Sequence, residues 1–142
     1  MARDRIYINS IYRDGLLDEL DKKNVLGFHL IGKKDIFLIA VALGLDTPKK
    51  IQGKKDGYFL LEYLKMSDKA FFGAIKLGKL DDPSDVDKYA NEEESYNQAE
   101  QCAESGFEKL KEMYESAEDE EMFEKRLMAH LDFLFMKNVD TL

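Results

Sequence analysis

The sequence has one cysteine, two prolines and nine glycines in 142 residues, and it has no long apolar run. A single cysteine excludes an internal disulfide and suits a reducing compartment. The longest uninterrupted apolar run, residues 36–43, is far shorter than the ~18 residues that a membrane-spanning helix needs. We also expect no signal peptide, because charged and apolar residues alternate at the N-terminus. We therefore predict a soluble, cytoplasmic protein that does not contact membranes.

Scarce proline and glycine, together with 35% charged residues, favour a helix-rich fold over a β-sandwich. A chain of this length can bury a core as one domain without disulfides. We predict a mainly α fold over residues 1–142: a single-domain bundle of five or six helices. The N-terminal segment and residues 58–63 are expected to add a minor two-stranded β element. The sequence leaves open whether residues 58–64 form a strand or a turn of helix.

The apolar run between Asp35 and Gly44 marks the centre of the predicted core. Periodicity cannot distinguish a buried helix from a buried strand when every position is apolar, so the flanking residues must decide. Asp35 is a good N-cap, and Gly44 fits the left-handed residue that closes many helices. The sequence therefore predicts a buried central helix over residues 35–44.

Charge is divided unequally along the chain. Residues 1–79 carry 15 lysine and arginine residues against 10 aspartate and glutamate residues, whereas residues 80–142 carry 6 against 19. The resulting +5 and −13 give the net charge of −8. Such asymmetry marks either a basic face that meets a polyanion or two halves that attract each other, and we favour the second interpretation. We describe residues 1–79 as a basic half and residues 80–142 as an acidic helical half.

The acidic half contains the most regular pattern in the sequence. Apolar or small residues recur every seven positions, which predicts one face of a long helix: Tyr89, Tyr96, Ala103, Leu110 and Ala117. The small residues Ala99, Ala103 and Gly106 would let another helix approach closely, so we interpret Gly106 as a packing contact rather than a break. Phe123, Leu127 and Leu131 then predict an amphipathic final helix.

A row of glutamates follows a neighbouring face of the same predicted helix. They are spaced by four residues: Glu100, Glu104, Glu108 and Glu112. Like charges at this spacing repel each other by a few tenths of a kcal/mol per pair, at about 0.2–0.5. We therefore expect water or a basic partner to cover this acidic stripe.

Catalytic motifs are missing from the sequence. It has no phosphate-binding P-loop, no dinucleotide fingerprint and no serine-hydrolase elbow. Two histidines and one cysteine cannot form a standard zinc site by themselves. We interpret Cys102 as a packed thiol rather than a nucleophile. The prediction is a protein that is not an enzyme, with no catalytic residues, no metal and no cofactor.

The basic half supplies the residues that we expect to contact nucleic acid or a partner. They are Arg3, Arg5, Lys33, Lys34, Lys49, Lys50, Lys54 and Lys55. The last four fall within seven residues, for which a solvated loop is the simpler interpretation.

Three functions remain open. The leading hypothesis is a non-enzymatic accessory or adaptor protein that acts through protein–protein contacts, with its acidic helices facing a basic partner or a second copy of the chain. The first alternative is nucleic-acid binding by the basic residues of the N-terminal half. The second is an acidic DNA mimic that inhibits a nucleic-acid enzyme.

The stretch from Lys33 to Gly44 reads KKDIFLIAVALG and is followed by a Thr-Pro turn and the lysine-rich loop. This block resembles small uncharacterised prokaryotic proteins that carry KKDIF-x-x-A-x-ALG, some of which are associated with DNA phosphorothioation and phage-defence loci. The resemblance implies an accessory role near DNA transactions and supplies no catalytic or ligand residues.

Overall fold

In the computed structural model, which describes residues 3–78 and 92–140, five α-helices and a two-stranded antiparallel sheet form a mainly α fold. This confirms the predicted fold class with its minor β element. The helices are α1 (Leu17–Lys22), α2 (Lys33–Leu43), α3 (Met66–Gly78), α4 (Glu92–Ser116) and α5 (Glu120–Asp140). None of the helices in these described ranges is both long and apolar enough to span a membrane.

The sheet joins β1 (Arg5–Asn9) to β2 (Lys55–Leu60). Residues 58–60 belong to the strand as predicted, but the strand begins at Lys55. Residues 61–63, which we had included in the β element, form a 3₁₀ helix instead (Leu61–Tyr63). The Leu61 backbone N–H still donates to the Asp4 carbonyl at 2.9 Å, and the chain turns into the 3₁₀ helix directly after this bond.

A bulge interrupts the sheet near its middle. Ile6 lies opposite Phe59, but the next residue, Tyr7, lies opposite Gly57, so Tyr58 is an extra residue in β2. Ile6 and Phe59 are buried in the core. Since bulges bend the strand and re-aim side chains, this one changes the direction in which Tyr58 leaves the sheet.

The central helix exists, but its ends differ from the prediction. It spans Lys33–Leu43 with Gly32 at the N-cap, so Asp35 lies in the first turn and the prediction of Asp35 as N-cap was wrong. The helix begins earlier because the Ile36 backbone N–H already donates to the Gly32 carbonyl at 3.1 Å. Gly44 has φ −104° and ψ 8°, which is not the left-handed conformation that we expected.

Gly44 and Gly106 allow α2 and α4 to cross with their backbones in contact. A Cβ atom at position 106 would lie 1.7 Å from the Ala40 carbonyl oxygen, and one at position 44 would lie 1.8 Å from the Cys102 carbonyl oxygen. Neither position can hold a side chain without moving a helix. The interpretation of Gly106 as a packing contact is confirmed, and Gly44 has the same role.

Aromatic side chains fill the core between α2, the sheet, α3 and α4. Phe37 contacts Phe59 and Phe72 with ring centroids 5.5 Å and 6.1 Å apart, and Phe72 contacts Tyr96 at 6.2 Å. The predicted seam of α4 is buried at Tyr96, Ala99, Ala103 and Leu110, whereas Tyr89 lies outside the described residues. On α5, Phe123 and Leu127 are buried as the amphipathic pattern predicts.

Candidate functional site

The eight predicted contact residues do not come together. Arg5, Lys33 and Lys34 line one groove, whereas Lys50 and Lys55 line a smaller cleft that also contains Glu94 and Glu100. The remaining three line neither cleft and lie in ion pairs with carboxylates of this chain, as Arg5 and Lys34 also do. These three are Arg3 with Glu93 and Glu100, Lys49 with Glu108, and Lys54 with Asp56.

The first group lines a cleft that we call the basic groove. It has a volume of about 600 Å³ and lies between β2 and the start of α2. Its lining consists of three cations, two tyrosines and four further residues: Arg5, Lys33, Lys34, Tyr58, Tyr63, Gly32, Gly57, Phe59 and Leu60. Among the described residues, no carboxylate lines it. Pockets for small ligands have volumes of about 300–1,000 Å³, so the basic groove is large enough for a ligand or a peptide segment.

The sheet places Arg5 in the basic groove. A Cβ atom at Gly57 would lie 2.6 Å from the Cδ atom of Arg5, so the Arg5 side chain passes over the glycine. The Arg5 guanidinium also contacts its neighbour Asp4, with 3.2 Å between Nε and Oδ1, and remains about half exposed. Gly57 therefore provides the space that lets Arg5 extend into the groove.

The two lysines occupy the first two positions of α2. The ammonium of Lys33 lies 5.6 Å from the ring centroid of Tyr58, a cation–π contact. The ammonium of Lys34 donates to Asp68 at 3.0 Å, and the Lys65 backbone N–H donates to the same carboxylate at 2.8 Å. Burial tends to raise the pKa of Asp68, but these two hydrogen bonds outweigh it and lower that pKa. Asp68 thereby connects the start of α3 to the start of α2.

The N-terminus of α2 has no side-chain cap. No side chain among the described residues accepts a hydrogen bond from the first backbone N–H groups of this helix, whose N-cap is Gly32. Uncapped N–H groups and the positive end of the helix dipole attract anions. Two lysines at this end are electrostatically unfavourable for the helix, typically by about 0.3–1 kcal/mol per charge. A bound anion would remove this penalty.

The acidic stripe of α4 is covered by the chain's own N-terminal segment. Arg3 donates to Glu93 and Glu100, at 2.9 Å and 2.6 Å, and the Tyr7 backbone N–H donates to Glu100 at 2.7 Å. The Arg3 side chain is 12% exposed and that of Glu100 only 3%. Burial raises the pKa of Glu100, and the bonds from Tyr7 and Arg3 partly offset this. The N-terminal segment of this chain, rather than water or a separate partner, therefore covers the stripe at Glu100, whereas Glu112 at its other end is exposed.

Glu104, one turn further along, is buried with incomplete hydrogen bonding. Its Oε1 accepts a hydrogen bond from the Asn9 amide at 3.1 Å, but its Oε2 has no hydrogen-bond partner among the described residues. Burial raises the pKa of Glu104, and the nearby charge of Glu108 raises it further. Burial and these two carboxylates also raise the pKa of Tyr12 to about 12. The buried Glu104 carboxylate is therefore out of reach of an external partner, and its charged form lowers the stability of the fold.

The residues considered for catalysis or metal binding lie apart. Cys102 is fully buried, in agreement with a packed thiol. His29 is exposed, with its Nδ1 3.2 Å from an oxygen of Asp21. Within the described residues, no group of three or more His, Cys, Asp or Glu side chains is placed to hold a metal ion.

No known protein family, curated protein or solved structure matches this chain. The basic groove therefore has to be interpreted from its own geometry.

The sequence did not reveal three features of the groove. Tyr58 and Tyr63 were not predicted as site residues because the sequence left open the structure of residues 58–64, and Gly57 was not predicted because its Asp-Gly pair is typical of a turn. The apolar and aromatic residues from position 58 are a strand signal that could have placed the second half of β2. Pairing β2 with the N-terminal strand would then have brought Arg5 to Gly57.

Proposed function

We propose that this protein is a non-enzymatic accessory protein that acts through protein–protein contacts and holds its partner in the basic groove. The observation that carries the proposal is the placement of three cations in one groove without a carboxylate in its lining. Lys33 forms no ion pair among the described residues, although it contacts Tyr58 and also lines an adjoining cleft with Asp18 and Asp21, so an incoming group would compete with that cleft for its charge. The uncapped start of α2 adds backbone donors beside it.

The acidic helices are the other candidate contact surface, but the glutamates of the acidic stripe are largely engaged within the chain. Glu100 and Glu104 are buried, and Glu108 pairs with Lys49. Most of the stripe is therefore occupied inside the molecule, which also weakens the proposal of a DNA mimic. The basic groove remains as a cleft whose lining, among the described residues, carries cations and no carboxylate.

Binding of single-stranded nucleic acid is the second candidate function. The ring of Tyr63 is 60% exposed at the edge of the groove, near cations that could contact phosphates. Stacking of bases on aromatic rings next to positive charge is the usual mode of such binding. The separation of the eight basic residues into groups and the net charge of −8 favour a protein partner instead.

The cellular setting is also a proposal. The resemblance of Lys33–Gly44 to proteins of DNA-modification and phage-defence loci suggests that the partner belongs to such a system. The single cysteine suits a reducing compartment such as the cytoplasm.

Site-specific photo-crosslinking in the native host tests this function. Tyr63 is replaced by a benzophenone amino acid, and the same replacement at Met128, exposed on α5 and outside the groove, serves as the control. We expect a protein adduct at position 63 that is absent at position 128 and is lost when Lys33→Glu is added. An adduct with nucleic acid would favour the second candidate. Equal adducts at both positions would refute the groove as the contact site.

A further inference from the structure

We infer that the segment bound in the basic groove is an extended, acidic stretch of polypeptide that adds to β2 as a third strand. This inference rests on the proposed function and specifies the chemistry of the partner. It depends on two features that occur together in the groove: an unpaired strand edge and a cluster of cations.

The first feature is the edge of β2. Within the described residues the sheet has two strands, so β2 pairs with β1 alone. The far side of an edge strand presents backbone N–H and C=O groups that can pair with another chain. Four consecutive residues of β2, 57–60, line the basic groove. A peptide in the groove therefore lies beside backbone that can accept a further strand.

The other edge of the sheet, formed by β1, is already occupied. The Tyr7 backbone N–H of β1 donates to the Glu100 carboxylate of α4 at 2.7 Å. This side-chain acceptor takes the place that a neighbouring strand would occupy next to β1. Strand addition is consequently expected at β2.

The second feature is the charge of the groove. Arg5, Lys33 and Lys34 approach it from β1 and from α2, and its lining among the described residues contains no carboxylate. Arg5 and Lys34 also pair with Asp4 and Asp68, which lie outside that lining, whereas Lys33 forms no ion pair among the described residues. In an extended peptide, alternate side chains point to the same side. Acidic residues at alternate positions would therefore face these cations together.

The length of the groove determines how many peptide residues can pair with β2. Four residues of strand span roughly 13 Å, so a core of four or five peptide residues fits against residues 57–60. A segment that alternates acidic with apolar or β-branched residues would direct its acidic side chains toward the cations and its other side chains away from them.

Backbone methylation separates strand addition from simple charge attraction. The probe is a synthetic peptide of roughly seven residues that alternates glutamate and valine. Two matched peptides carry N-methyl groups on either the odd or the even amides, with the charge unchanged. Binding is measured by NMR titration of the full chain, because the amides of residues 57–60 then report the site directly.

We expect one methylated peptide to bind like the parent and the other to bind about ten-fold more weakly. An edge strand bonds only alternate amides of its partner, and two lost hydrogen bonds of about 0.7 kcal/mol each correspond to that factor. Hydrogen exchange at alternate β2 amides should slow when the parent peptide is bound. The variant Lys33→Glu should weaken all three peptides.

Each alternative result has a defined meaning. Equal binding by all three peptides, still dependent on Lys33, would overturn strand addition and leave the proposed function standing. Binding of oligothymidylate through Lys33 without binding of any peptide would refute both the inference and the proposed protein partner. Shifts outside residues 57–60 and the start of α2 would also overturn the inference.

Discussion

Replacing Gly106 with alanine should force apart the two helices at the centre of the core. The added Cβ would lie 1.7 Å from the carbonyl oxygen of Ala40 and 2.5 Å from its carbonyl carbon. Both atoms belong to the backbone of α2, so no side-chain rotation can relieve the clash. Restoring an ordinary contact of about 3.5 Å requires α2 and α4 to separate by roughly 1.8 Å.

The change in the free energy of unfolding for Gly106→Ala combines two opposing effects, overpacking of the core and a higher helix propensity. Overpacking a well-packed core costs about 1–3 kcal/mol, and the cost is greater when backbone must move. Ala99, Ala103 and Phe107 of α4 are fully buried and would lose contacts as the helices separate. Alanine is the better helix former by about 1 kcal/mol, which offsets part of the loss. We therefore expect Gly106→Ala to lower the free energy of unfolding by about 1–3 kcal/mol.

Urea unfolding followed by circular dichroism measures this change as a lower midpoint at an unchanged slope. Gly73→Ala in α3 is the matched control, because an added Cβ there meets nothing within 4 Å among the described residues. The control should gain up to about 1 kcal/mol from helix propensity. If Gly106→Ala were as stable as the control, the backbone contact between α2 and α4 would be wrong.

Three further predictions concern the charged groups. Arg3→Ala should cost about 3 kcal/mol at neutral pH because it leaves Glu100 buried without its partner, and the cost should shrink in acid as Glu100 becomes protonated. Glu104→Gln should make the protein more stable by about 1 kcal/mol at pH 8 and by little near pH 4. The sign follows because the raised pKa of Glu104 means that the folded state loses stability as pH rises through that pKa. Lys33→Glu should change the free energy of unfolding by less than about 1 kcal/mol, because the gain from a negative charge at the N-terminus of α2 is offset by the lost contact with Tyr58 and by the nearby Asp18 and Asp21.

Urea unfolding at pH 4 and pH 8 checks all three variants. A loss for Arg3→Ala that is independent of pH would contradict the role of the Glu100 charge. Glu104→Gln less stable than the wild type at pH 8 would show that the carboxylate is satisfied. Destabilisation by Lys33→Glu of more than about 1 kcal/mol would mean that Lys33 supports the fold, and loss of binding in that variant could then not be assigned to the groove alone.

The central helix α2 and the helix that packs against it, α4, were predictable because their sequence signals are an uninterrupted apolar run and a regular seven-residue repeat. The apolar run at residues 36–43 and the small residues of α4 identify two surfaces that must pack closely. The helix start was not predictable, because Asp35 is a strong capping residue that competes with an uncapped start at Gly32. The role of Gly44 was also hidden. A glycine after a helix suggests a left-handed cap, and only the packed structure shows that α4 excludes a side chain there.

The site was less predictable because it depends on long-range pairing. Arg3 and Glu100 are separated by 97 positions in sequence, and no periodic pattern connects them. Lysine and arginine residues look alike in a sequence whether they pair inside the molecule or face a groove. The eight residues could therefore be selected by charge, whereas their separation into stabilising pairs and groove residues required the fold.

The positions of these cations suggest which of them were retained for function. Arg3 covers α4 carboxylates that would otherwise repel one another, so it stabilises the fold. Lys33 contributes a cation–π contact, but it adds positive charge to the positive end of an uncapped helix. Residues that weaken the fold locally without an equal return are expected at functional sites, where selection for binding opposes selection for stability. On this argument Lys33, rather than the more concentrated lysines of residues 49–55, is the first residue to replace when the proposed binding is tested.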